Sequence, residues 1–176
     1  MKNGGWKRLS SSVVHRNKHW LVRQDDVIRP DGAKGPYQYI DRKDFASIVP
    51  LDSDGKLYLV RQWRYLFKSY SWEFPRGSRD KNEAVLESAR RELQEETGLK
   101  ARRWQRIGKS YLANSLVRQS FYTYIASDLR LGSPNLEGSE LGMIVKKFSV
   151  KQVEQMIERG MIKDSVTITS FYLFER

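Results

Sequence analysis

The chain has no cysteine, which excludes a disulfide framework and any thiolate-held metal. It has only two histidines, His15 and His19. On a helix that i, i+4 spacing would bring two imidazoles together, but the segment around them is polar and β-like. They read as surface residues, and no zinc spacing, Ser-His-Asp set or phosphate-binding P-loop is left to consider. No apolar run comes near the ~18 residues of a membrane span, and Met1-Lys2-Asn3-Gly4-Gly5 does not lead into the apolar stretch of a signal peptide. The expectation is a cytoplasmic protein with no membrane partner, and a cysteine-free composition fits a reducing compartment. Internal repeats and low-complexity tracts are also missing, so 176 residues fit one structural unit with a core of ordinary size.

Acid is the scarcer charge: 21 Asp and Glu stand against 32 Lys and Arg, a net charge of +11. Such a surplus suits polyanionic ligands such as nucleotides or nucleic acid. The basic residues come in scattered pairs, among them Lys7-Arg8, Arg102-Arg103 and Lys146-Lys147, with no block of five. A solubilising surface is therefore favoured over a nucleic-acid groove.

Against that background the acids of residues 77–99, GSRDKNEAVLESARRELQEETGL, stand out. At a helical step of about 100° per residue, Glu92, Glu95 and Glu96 share one ~100° arc. Three carboxylates on one face repel one another, and they are also what the hard cations Mg²⁺ and Mn²⁺ select. The plain alternative is a solvated acidic face. Leu86, Ala89 and Leu93 form an apolar stripe at i, i+3, i+7 that can pack on a sheet. Asn82 reads as the N-cap and Gly98 as the residue that stops the helix, with Leu99 as its hydrophobic partner. Arg91 and Glu95 are spaced to pair. Gly77, after Pro75-Arg76, suits a tight turn whose carbonyls face the acids.

Elsewhere the pattern is mostly β. Residues 6–45 are strand-rich, with breaks at Pro30-Asp31-Gly32 and Gly35-Pro36. Residues 45–51 and 56–63 read as two strands of a hairpin turning at Asp52-Ser53-Asp54-Gly55. Trp72-Glu73-Phe74 is a short strand leading into the acidic stretch. Residues 104–110, 119–126 and 143–148 are further strands, and 129–142 is a loop carrying Glu137 and Glu140. Ser149 caps a helix over 150–159 that Gly160 ends. Residues 164–174 mix β propensity with an Asp164-Ser165 cap.

The 77–99 stretch resembles the Nudix box, G-x5-E-x7-R-E-U-x-E-E-x-G-U, with U a bulky aliphatic residue. It matches at every specified position: Gly77, Glu83, Arg91, Glu92, Leu93, Glu95, Glu96, Gly98 and Leu99. From average residue usage such a match arises by chance on the order of 10⁻⁹ per window, which removes coincidence as an explanation. The resemblance implies an α/β fold, the Nudix α/β/α sandwich with a mixed sheet, and a closing helix over 164–174. It divides the chain into a β-rich, dimer-forming arm over 1–44 and a hydrolase domain over 45–176. It also implies a phosphoric-anhydride hydrolase dependent on Mg²⁺, with Mn²⁺ as the alternative. Glu92, Glu96 and the backbone carbonyl of Arg76 would be direct metal ligands, Glu95 a further ligand or a water-bridged partner, and Arg91 would orient a box carboxylate. Glu83 would be structural or lie in an outer shell.

The flanks, Val60-Arg61-Gln62-Trp63-Arg64, Trp72 to Gly77 and the GMIKDSVTIT run over 160–169, resemble the ADP-ribose and nucleoside-diphosphate-sugar pyrophosphatases. That likeness nominates Arg64 for the substrate diphosphate, since a planar guanidinium fits phosphate bidentately. A surface arginine is its alternative. Glu73 would lie by the site, beside the substrate or around the metal, and Glu140 would be the catalytic base, with Glu137 second. The likeness departs at residues 112–116, Leu-Ala-Asn-Ser-Leu, where many of those enzymes carry a proline, often in a Ser-Pro-Gly turn. This implies a broader range of nucleoside diphosphate sugars than ADP-ribose alone. Homodimers are common in the group, so a dimer is expected. An RNA 5′-end or dinucleoside-polyphosphate hydrolase, and a non-catalytic nucleotide sensor, are the alternative readings.

Overall fold

The computed structural model describes residues 2–80, 82–132 and 142–176. The chain divides into two compact units, residues 1–43 with 111–120, and residues 44–110 with 121–176.

In the first unit β1 (Lys7–Arg16), β2 (Leu21–Ile28) and β3 (Lys34–Asp41) form an antiparallel meander. Gly35 and Pro36, which read as a break, lie within β3; their partners Val27 and Asp26 continue the register. Residues 117–118 run parallel to Ile40 and Asp41. Every residue of β1 is exposed, Leu9, Val13 and Val14 included. His15 and His19 are exposed as expected.

Asp41 secures this unit. Its carboxylate accepts from Arg23 Nε and Arg118 Nε, both at 2.9 Å, and from Arg118 Nη2. Burial by itself would raise its pKa, but the hydrogen bonds from Arg118 and Arg23 outweigh burial and hold the carboxyl below its ordinary 3.8. A depressed carboxylate stabilises the fold fully above the unfolded-state value and loses that contribution as pH falls through the lower folded value. Asp41→Asn is therefore expected to cost about 1–3 kcal/mol near neutrality, the usual worth of hydrogen bonds to a charged group. The difference from wild type should shrink as pH drops below 3.8. Urea unfolding of both proteins from pH 7 to pH 3 checks this, and a pH-independent difference would mean that the charge is not what holds the site.

In the second unit β4 (Phe45–Pro50) is the central strand, and all six of its residues are buried. It runs parallel to β9 (Val117–Leu131) over 121–126 and antiparallel to β7 (Arg76–Ser78), a mixed sheet. β9 also pairs with β8 (Leu99–Ala113). A second sheet has the order β10 (Ile144–Ser149), β5 (Lys56–Arg64), β6 (Ser69–Glu73).

Side chains alternate across β4 and build two cores. Ala46 and Ile48 pack with Ala89, Leu93 and Leu99 under α1 (Val85–Thr97). Val49 packs with Leu57, Leu59, Phe74, Val153 and Phe171, which brings in α2 (Val150–Glu158) and α3 (Ser165–Phe174). On that side Ser170 Oγ of α3 donates to Ser47 Oγ at 2.9 Å. Helices thus cover both faces of a mixed sheet, the α/β sandwich that the resemblance implies.

The Asp52-Ser53-Asp54-Gly55 turn forms, with Asp52 N–H donating to Lys56 O and Gly55 N–H to Asp52 O. Its arms are not a hairpin. β4 and β5 share a single bridge, Leu51 to Leu57, and then enter different sheets. The reason lies in β4, whose edges are taken by β7 and β9. β9 is also longer than its apolar alternation indicates and takes in Leu129–Leu131, which read as loop. Ser165–Phe174 is helical, with Asp164 as its N-cap. Among the described residues no helix is long and apolar enough to cross a membrane.

Candidate active site

α1 carries the acidic face. Ala89 and Leu93 are fully buried against β4, so the apolar stripe fixes the helix rotation and turns the carboxylates the other way. Gly98, in the left-handed region at φ 71°, ends the helix by donating to Gln94 O. The start differs from the sequence reading: the capping position is Ala84, without a side-chain cap, and Asn82 is itself left-handed at φ 68°. Glu83 instead accepts from Asp80 N–H at 2.8 Å.

Arg91 is the hub of the acidic face. Its Nη1 donates to Glu92 Oε1 and Glu95 Oε2, both at 2.9 Å, while Nε and Nη2 reach the Glu83 carboxylate at 3.3 Å. Nη2 also donates to the Ser78 carbonyl of β7 at 3.1 Å. Burial works against the guanidinium charge, but the hydrogen bonds it donates to Glu83, Glu92 and Glu95, with the charge of Glu92, prevail and raise its pKa. Glu96 is nearly buried and accepts from the Arg76 backbone N–H at 3.2 Å.

Gly77 is not in a tight turn. It lies in β7, paired with Ala46 of β4, and it is not among the residues with left-handed φ. The glycine is needed for proximity: a Cβ there would fall 1.7 Å from Glu92 Cδ and 1.9 Å from its Oε1. Only a bare backbone lets that carboxylate lie against the strand.

A second array adjoins the first through Arg76. Arg64, at the end of β5, grips Glu73 with Nε at 2.7 Å and with Nη2. Glu73, at the end of β6, is 1% exposed, and its Oε2 also takes Arg76 Nη2 at 2.9 Å. Arg76 Nη1 in turn donates to Asp164 Oδ1 at 2.9 Å. Hydrogen bonding to the Glu73 carboxylate is the main reason that the Arg64 pKa is raised, so this guanidinium stays charged. Glu73 therefore supports Arg64 with both oxygens occupied, and among the described residues Arg64 Nη1 has no hydrogen-bond partner.

The donor set suits a hard divalent cation: carboxylates that outnumber the guanidinium they share, and a glycine cradle that admits Glu92. Among the described residues no three such side chains close on one point as they stand, because Arg91 is what Glu83, Glu92 and Glu95 share. Glu92, Glu95 and Glu96 are the carboxylates that would hold such a cation, and Arg91 ties Glu92 to Glu95. Glu140 and Glu137 lie outside the described residues. Of residues 112–116, the first two end β8 and 114–116 make the β8–β9 turn, closed by Leu116 N–H to Ala113 O; they belong to the first unit with Tyr37, whose hydroxyl donates to Ser115 O. Asp164 and the Arg76 side chain were not singled out for the site by sequence. The signals were the Asp164 cap and its place in the GMIKDSVTIT run, and neither says anything of a partner 88 residues away.

Residues 41–167 match the NUDIX domain model, and the chain belongs to the Nudix family. It is a pyrophosphohydrolase, an enzyme of phosphoric anhydrides. Residues 6–40 match the model of the nucleoside diphosphate sugar hydrolase N-terminal domain. The chain is 28% identical over 170 residues to the ADP-ribose pyrophosphatase of Mycobacterium tuberculosis, covering 96% of this chain and 82% of that one. It is 31% identical over 134 residues to the ADP compounds hydrolase NudE of Escherichia coli, covering 75% and 70%. A crystal structure of an ADP compounds hydrolase superposes with a TM-score of 0.84 at 25% identity, over 97% of this chain and 92% of that one.

Proposed function

We infer that the protein is a Mg²⁺-dependent pyrophosphohydrolase of nucleoside diphosphate sugars, ADP-ribose among them, releasing a nucleoside monophosphate and a sugar phosphate. The observation that carries this is the pairing of two arrays: Glu92 and Glu95 gathered by Arg91 on α1, and, from Glu96 on the same helix, a bond to the Arg76 backbone, whose side chain joins the arginine fork on Glu73. The match of residues 6–40 to a nucleoside diphosphate sugar hydrolase domain supports the substrate class.

A diphosphate resists attack because its oxygens repel a nucleophile. A divalent cation held by Glu92, Glu95, Glu96 and the Arg76 carbonyl would neutralise those oxygens and make phosphorus the better electrophile. Arg64, held flat by Glu73, turns its remaining guanidinium edge to a phosphate oxygen and orients the diphosphate. Water attacks one phosphorus in line, and the bridging P–O bond breaks towards the leaving phosphate. Glu140 takes the water's proton, a role for which the family resemblance is the support. The exposed apolar residues of β1 and its neighbour Trp6 support a homodimer formed through the N-terminal arm. A cysteine-free chain supports a cytoplasmic setting.

One panel tests the reading: ADP-ribose, GDP-mannose, UDP-sugars, NADH, diadenosine polyphosphates and triphosphorylated RNA, each with Mg²⁺ and with EDTA. ADP-ribose and related sugars should be cleaved only with metal, with Glu140→Gln about 10²-fold slower, by a protein that elutes as a dimer. Preference for RNA or polyphosphates would replace the substrate class, activity in EDTA would overturn the mechanism, and a monomer at all concentrations would remove the dimer.

A further inference from the structure

Asp164 lies on the C-terminal side of the chain, far in sequence from the acidic helix, yet its two oxygens serve two different elements. Oδ2 caps α3, accepting from Thr167 N–H and Thr167 Oγ1, both at 2.8 Å. Oδ1 takes Arg76 Nη1 at 2.9 Å. Thr167 Oγ1 accepts in turn from Phe74 N–H at 3.1 Å, so the first turn of α3 is hydrogen-bonded to the backbone between Glu73 and Arg76.

The consequence is a line of alternating charge: Asp164, Arg76, Glu73, Arg64. Each inner group serves two partners. Arg76 gives Nη1 to Asp164 and Nη2 to Glu73; Glu73 gives both oxygens to Arg64 and shares Oε2 with Arg76. A helix cap needs only one acceptor oxygen, which asparagine supplies as well as aspartate. The second oxygen, and the charge, are spent on Arg76.

We propose that Asp164 is a positioning residue for the diphosphate: by anchoring Arg76 on Glu73 it fixes the plane in which Arg64 presents its open edge to the substrate. Without that anchor Arg76 is tied to Glu73 alone and competes with Arg64 for its oxygens. The buried carboxylate then no longer holds one orientation of the Arg64 fork. Planar, two-point recognition of phosphate suffers most from such a loss of orientation. The inference rests on the reading of Arg64 as the diphosphate-binding arginine.

The test is binding of ADP-ribose in EDTA, where no turnover occurs, followed by tryptophan fluorescence together with the melting temperature. Asp164→Asn, which keeps the cap, should weaken binding about tenfold while melting within a few degrees of wild type. Thr167→Val, which disturbs the cap and the Phe74 link but leaves Oδ1 on Arg76, should melt lower and bind within twofold of wild type. In an Arg64→Ala background, Asp164→Asn should change binding by less than twofold, because the group it positions is gone. Equal binding by Asp164→Asn and wild type would overturn the proposal, as would an equal loss with and without Arg64, or a Thr167→Val loss as large as that of Asp164→Asn. Wild-type protein that binds no ADP-ribose would instead overturn the functional reading, and the proposal with it.

Discussion

Glu96→Gln is expected to lower kcat/KM by about 10³-fold, some 4 kcal/mol of transition-state stabilisation, with little change in melting temperature. Glu96 is 6% exposed and accepts from the Arg76 N–H at 3.2 Å. Glutamine has the same length and an oxygen that can keep that bond, so the junction between α1 and β7 should survive. What disappears is one negative charge at a place where carboxylates are gathered. A hard cation draws its affinity from anionic oxygen, and a neutral amide replaces it poorly. Titration with Mn²⁺ should show the loss in metal affinity directly, and turnover within tenfold of wild type at saturating Mg²⁺ would remove Glu96 from the metal site.

Gly77→Ala should have an effect nearly as large, through geometry rather than charge. The backbone at Gly77 is ordinary strand, so alanine is not penalised by φ, and its pairing with Ala46 can persist. The new methyl would collide with the end of the Glu92 side chain, 1.7 Å from Cδ. That end is flexible and can swing away, at the cost of its 2.9 Å bond to Arg91. The expected outcome is a folded protein, melting within a few degrees of wild type, whose metal affinity and kcat/KM both fall about 10²-fold; a loss of an ångström in placement commonly has that effect. Unchanged Mn²⁺ affinity would show that Glu92 does not need its position against β7.

The acidic helix was legible because its instructions are local. A stripe at Leu86, Ala89 and Leu93, a stop at Gly98 and an Arg91–Glu95 pair all act within a few turns, and the structure keeps each of them. The same holds for Ser149, which forms a capping box with Gln152, and for Asp164 as a cap. Local signals misled where tertiary partners compete. Asp52 to Gly55 is a sound turn, but it cannot pair β4 with β5 when β7 and β9 take the edges of β4. Asn82 had the right side chain for a cap, but Glu83 and Asp80 close that corner among themselves. Residues 166–169 are β-prone by composition; burial of Val166, Thr167, Ser170 and Phe171 on one side of the chain makes them helix.

By itself, then, the sequence determined the chemistry of the acidic face, the family and the α/β class, because residue type and spacing within one helix carry them. Only the tertiary structure decided that Gly77 serves as a cradle for Glu92, that Glu73 is a buried support for Arg64, and that Arg76 joins the two charge arrays with Asp164 behind it. Those facts rest on which strands lie side by side and on contacts between residues tens of positions apart. No period or spacing in the chain encodes such contacts, and packing around β4 is what brings them into hydrogen-bonding distance.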